Sequence, residues 1–152
     1  MSTYRERLTP SGRIYVYLVL VIPASILVFA PINITVGYIC AVVLYVGTVL
    51  ILLALSPVVT VEDGMLTAGK ARIPVSLLGE PEAFTGEGAT LARGQRLDAR
   101  AWLCIRGWVQ PVVKVNVHDP ADPVPYWLIS SRNPNELVAA LEKANNHELA
   151  DS

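Results

Sequence analysis

Between Arg13 and Glu62 the chain carries no Asp, Glu, Lys, Arg or His. A stretch that long without charge has nothing to hold it in water, and an apolar helix that satisfies its own backbone inside lipid is the fold it permits. The gap divides at "APIN", Ala30 to Asn33. Residues 14–30 and 34–55 each come close to the roughly 20 helical positions that a hydrocarbon core requires. Pro23 withdraws one backbone N–H from the first segment and predicts a kink there. The turn of Pro31, Ile32 and Asn33 is too short for anything but an antiparallel return. A membrane α-helical hairpin is therefore expected. Gly37 and Gly47 would let a neighbouring helix approach the second segment, although they are not in G-x-x-x-G register. A secretory signal peptide is the alternative for the first segment. Its apolar run exceeds a usual signal core, no small-x-small site precedes Pro31, and a second span follows at once, so we expect it to be retained.

Charge at the flanks sets the orientation. Arg5, Arg7 and Arg13 lie in an amino-terminal arm, residues 1–13, the turn at 31–33 is uncharged, and Lys70 and Arg72 follow the second span. The positive-inside rule then places both termini in the cytoplasm, with the bilayer itself as the first partner. The whole-chain composition agrees: 53% of residues are apolar and 16% charged, against about one quarter charged in soluble domains. Cys40 falls within the second span and Cys104 in an apolar patch far from it, so no disulfide or zinc site is expected.

Residues 56–152 read as a small α+β cytoplasmic domain. Nine Lys and Arg stand there against twelve Asp and Glu, a net charge of −3, which excludes the basic face of a nucleic-acid binder. "VVTVEDGMLTAGKARIPV" predicts strands at 58–61, 65–68 and 71–75, joined by an Asp63-Gly64 hairpin turn and by Gly69-Lys70. A further strand is expected near 82–85, and the glycines at 86 and 88 are read as a solvated loop. They lack the third glycine and the Gly-Lys-Ser/Thr of a phosphate-binding loop. Leu97, Ala101, Cys104 and Ile105 recur at helical spacing, with Asp98 placed to cap and Gly107 to stop, so a short helix is expected over 98–106, with a strand as the alternative. Val113, Val115 and Val117 alternate with Lys114, Asn116 and His118, a half-buried strand whose antiparallel partner is "YWLIS". The closing helix starts at "NPNELV", with Asn133 as cap, Pro134 at the first position and Glu136 as the capping-box acid. Leu137, Val138, Leu141 and Ala144 form its apolar face. The expected architecture is an antiparallel meander closed by a carboxy-terminal helix.

The hairpin followed by "LTAGKARIP", "DARAWL" and "DPADPVPYWLISSRNP" resembles an actinobacterial family of two-span membrane proteins known as domain of unknown function 3093. Where that family writes threonine, this chain has Val124 and Ser131. The resemblance implies a location in a bacterial inner membrane and supplies no catalytic residues. The plan is also similar, more loosely, to bacterial membrane-anchored pleckstrin-homology-like domains, from which a helix over 98–106 departs.

The segment from Val115 to Pro134 concentrates the chemistry. An enzyme reading makes His118 a general base, with Asp119 and Asp122 orienting it or completing a metal site, in a membrane-bound hydrolase. His-Asp-x-x-Asp lacks the paired histidines of zinc hydrolases, and no nucleophile stands beside it. The competing reading is a structural clasp. Asp119 and Asp122 each precede a proline and can fix a turn through backbone N–H groups. Pro120, Pro123 and Pro125 stiffen the connection. Arg132 would reach back to either aspartate, leaving a rigid corner that presents Tyr126 and Trp127. On this reading the chain is a membrane-anchored interaction or accessory module, with a protein partner or a second copy of itself, no nucleic acid and no cofactor.

Overall fold

The computed structural model describes residues 2–151. It divides the chain into a helical unit, Thr9–Ser56, and a folded unit in which the residues up to Leu8 join those from Pro57 onward.

The helical unit holds α1 (Gly12–Val19), α2 (Val21–Phe29) and α3 (Ile34–Ala54). The first two are one apolar run interrupted at Leu20, whose N–H bonds to the Tyr17 carbonyl at 3.1 Å. Pro23 has no N–H to offer the carbonyl of Val19, so the ladder opens where the sequence predicts a kink. The Asn33 side chain caps α3 by accepting the Thr35 N–H at 2.9 Å. Gly37 is buried, and a Cβ placed on it would lie 3.4 Å from the Ile26 backbone, so this glycine brings α2 and α3 together. Gly47 faces open space. The hydroxyls of Ser25, Thr48 and Ser56 donate to carbonyls of the preceding turn. Val16, Leu20, Leu27 and Ile51 point outward, each more than half exposed. The two runs, 18 and 21 residues long, are long and apolar enough to cross a membrane.

The folded unit contains two four-stranded sheets. The first has the order β1 (Ser2–Arg7), β2 (Val58–Glu62), β3 (Met65–Ala68), β4 (Ala71–Pro74), every neighbour antiparallel. The meander forms where the hairpin signals place it. Asp63 (φ 50°) and Gly64 (φ 71°) are both left-handed, the geometry that twists with the strands and that Asp-Gly adopts readily. The arm ahead of the first span is itself a strand: β1 lies along β2, with Arg5 opposite Thr60 and Arg7 opposite Val58.

The second sheet has the order β5 (Leu78–Phe84), β7 (Val112–Val117), β8 (Tyr126–Ser130), β6 (Trp102–Cys104). β7 pairs antiparallel with β5 and β8, whereas β6 runs parallel to β8. Two expectations are corrected here. The glycine-bearing loop is helix α4 (Gly86–Arg93), and over 98–106 the helix gives way to the strand alternative, edge strand β6 (Trp102–Cys104) with its approaches. Both errors have one cause. Ala89 and Ala92 give α4 a small-residue face that lies flat on the outer side of the second sheet, over Val112 and Leu128. Leu97, Ala101 and Ile105 fill the margin of that same layer while Cys104 points the other way. Their spacing matches a helix, but pairing with β8 decides the conformation.

The main core lies between the sheets and α5 (Pro134–Ala150), and includes Val59, Val61, Leu66, Val113, Val115, Trp127, Ile129, Leu137 and Leu141. The valine alternation of β7 holds, with Val113 and Val115 in this core. β8 is buried on both faces, Trp127 and Ile129 inward, Tyr126 and Leu128 under α4. α5 begins at Pro134 as expected, yet the Asn133 side chain makes no cap bond. Instead the Asn133 N–H donates to the Ser131 hydroxyl at 3.1 Å.

Candidate functional site

The proline loop after β7 is held from within. Asp119 Oδ1 accepts the Ala121 N–H, and Asp122 Oδ1 accepts the Val124 N–H, both at 2.9 Å. Each aspartate thus closes its own turn over the proline that follows it. Beyond the loop, the Val117 N–H bonds to the carbonyl of Pro125 at 3.0 Å and starts the β8 pairing.

His118 lies apart from this. Its N–H donates to Leu77, and its imidazole rests on Gly79, where a Cβ would come within 2.8 Å of the ring. Among the described residues no three His, Cys, Asp or Glu side chains are grouped so as to hold a metal. His118, Asp119 and Asp122 are neighbours in sequence whose side chains serve three separate local contacts.

Arg132 does not span back to the aspartates. Its backbone N–H donates to Glu6 Oε1 at 2.8 Å and its guanidinium to the Arg7 carbonyl at 3.3 Å, both on β1. Glu6 is the centre of a polar clasp that the sequence reading missed. Its Oε2 accepts the hydroxyls of Tyr4 and Ser131, each at 2.6 Å, and those two hydroxyls lie 3.0 Å apart. Burial, then the hydrogen bond to the Glu6 carboxylate, raises the Tyr4 phenol far above its ordinary range. The clasp joins the start of the chain to the β8–α5 junction. The only signal for it was the alternation in "TYRER", which puts Tyr4 and Glu6 two apart.

Tyr126 and Trp127 are not presented to solvent: they are 8% and 5% exposed. Trp127 packs in the main core with its ring 6.0 Å from that of Trp102. The Tyr126 hydroxyl accepts the Asp98 N–H at 2.8 Å, and the Lys114 ammonium stands 4.6 Å from the centre of its ring. Beside it, a cavity of about 200 Å³ opens between α4 and the sheet, lined by Glu82, Phe84, Arg96, Lys114, Tyr126 and Leu128. Trp108 donates to the Leu8 carbonyl at 3.1 Å and packs against the core.

A family model described as a protein of unknown function, DUF3093, matches residues 3–141. The chain belongs to the DUF3093 family. That DUF3093 match runs through β1, the apolar hairpin and both sheets into α5. No curated protein and no solved structure matches the chain.

Proposed function

We propose that this chain is a membrane-held interaction module of a bacterial inner membrane, with its folded unit and both termini in the cytoplasm. One observation carries the reading: β1 and β2, on either side of the apolar hairpin, are paired strands of one sheet. A sheet cannot be shared across a bilayer, so the apolar run between them must cross an even number of times or not at all. Two runs of spanning length support two crossings. Arg5, Arg7 and Arg13 before the hairpin, the uncharged turn and Lys70 and Arg72 after it support the cytoplasmic side. The dispersal of His118, Asp119 and Asp122 into separate contacts favours binding over hydrolysis. Two four-stranded sheets with a carboxy-terminal helix also support the pleckstrin-homology-like reading, to which α4 and the parallel β6 would be additions.

Cysteine accessibility tests the topology. In cells carrying the chain with Cys40→Ser and Cys104→Ala, a single cysteine replacing Ile32 should react with an impermeant maleimide from outside. One replacing Lys70 should react only after permeabilisation, and the reverse pattern would overturn the proposal. The interaction role is tested by photo-crosslinking from exposed positions of the folded unit. A discrete adduct with another protein or a second copy is expected, and a surface scan that yields none counts against it.

A further inference from the structure

Apart from the apolar hairpin, three large hydrophobic side chains among the described residues are exposed: Trp102, Leu103 and Leu149. Two of them are adjacent on β6, the outer strand of the second sheet. Trp102 is on the Trp127 face of the sheet and Leu103 on the Leu128 face, so they flank the margin from opposite sides, and leaving them in water costs about 25 cal/mol for each Å² of apolar area. The charge of the surrounding segment is mostly of one sign. Arg93, Arg96, Arg100 and Arg106 stand against Asp98 alone between residues 93 and 106, while the rest of the chain from Ser56 has five basic residues against eleven acidic ones. Residues 93–106 are thus a basic stripe of sequence within an otherwise acidic domain.

Hydrogen bonds hold that stripe along the sheet. The Asp98 N–H is fixed to the Tyr126 hydroxyl at one end of β8, and the Arg106 N–H to Ser130 Oγ at the other, at 3.0 Å. Between these pins Trp102 lies opposite Trp127 and Leu103 opposite Leu128. Arg96 and Arg100 are exposed. Asp98 is taken up by Arg100 at 3.2 Å, a local pair that leaves the stripe net positive.

We infer that the β6 margin, Arg96 to Arg106, is a contact surface for anionic phospholipid headgroups. This rests on the membrane-held reading and gives it a ligand. Guanidinium groups match phosphate oxygens in planar, bidentate geometry, and an indole at the margin suits the headgroup boundary. The hairpin keeps a bilayer at high effective concentration around the folded unit. A second copy paired edge to edge through β6 would set the same arginines against one another, which charge opposes.

The test uses the full chain in nanodiscs of phosphatidylcholine, with and without phosphatidylglycerol, read by amide hydrogen exchange. Exchange over residues 96–106 should slow when phosphatidylglycerol is present. Arg96→Gln with Arg100→Gln should remove the effect by about fivefold per arginine, the value of one basic residue near an anionic surface. Both arginines are exposed, so the variant keeps its fold, which an unchanged melting curve confirms. High salt should weaken the protection. Equal exchange in the two lipids, in a chain whose turn labels from outside as above, overturns the lipid inference and leaves the topology standing. Protection that appears only with an added acidic protein also overturns it. Failure of the topology labelling is a separate result that removes the reading beneath it.

Discussion

Tyr4 shows how much depends on single side chains near the start of the chain. Its hydroxyl, with Ser131, converges on one Glu6 oxygen, so Tyr4→Phe should cost about 1–2 kcal/mol by leaving buried partners incompletely satisfied. Burial and the Glu6 carboxylate hold the phenol neutral in the folded chain. A raised pKa gives stability that is complete below the unfolded value and is lost as pH rises, because the unfolded chain ionises first. Stability should therefore fall above pH 10.0, the ordinary tyrosine value, and Tyr4→Phe should abolish that part of the slope. Burial raises the Cys104 thiol in the same direction from 9.0, so a shallower alkaline decline should persist in the variant. Denaturant titrations across alkaline pH check both. Trp127→Ala should cost about 3–5 kcal/mol by opening a cavity between the sheets, and a partner lost with it would report unfolding. For Asp122, asparagine keeps the acceptor oxygen for the Val124 N–H, so Asp122→Asn should be nearly neutral and Asp122→Ala should cost about 1 kcal/mol.

Among the elements, those legible in advance are the ones whose turns carry their own chemistry. Asp63-Gly64 fixes the β2–β3 hairpin, and a side chain at Gly64 would have to adopt φ near 71°. Gly64→Val should accordingly destabilise by about 1–2 kcal/mol, measurable as a lowered denaturation midpoint. In the helical unit, Gly37 sits at ordinary contact distance from Ile26 and Phe29. Gly37→Ala should be tolerated and Gly37→Leu should force α2 and α3 apart, readable as lost crosslinking between cysteines placed at Ile26 and Gly37 neighbours. α4 was missed because it has no pattern of its own, and β6 because its flanks carry a helical spacing. Two alanines make a helix face only when a flat sheet lies beneath them. Three residues make a strand only when β8 offers an edge.

For the whole molecule, the consequence of β1 is that an apolar hairpin has been inserted within a sheet and not merely appended to a domain. Residues 2–7 supply an edge strand, and the segment they begin carries the buried Tyr4 and Leu8 into the main core. Deleting residues 2–7 should expose the edge of β2, remove the clasp partners of Ser131 and Arg132, and yield an aggregation-prone chain. Size-exclusion chromatography in mild detergent would show this as loss of the discrete species while the apolar helices stay in the membrane fraction.

The amino-acid sequence alone determined the two apolar runs, their turn, the break ahead of Pro23, the hairpin at Asp63-Gly64, the alternation of β7 and the start of α5. Each is encoded by neighbours: by the absence of charge, by a missing N–H, by a turn dipeptide, by a period of two. The loop aspartates were legible for the same reason, since each bonds an N–H two residues away. Tertiary structure decided the rest. That Arg132 turns to β1, that Glu6 gathers Tyr4 and Ser131, and that Tyr126 and Trp127 are core and not surface all depend on contacts between segments far apart in the chain. Such contacts leave no periodicity behind, because their free energy comes from burying groups that only the folded chain brings together.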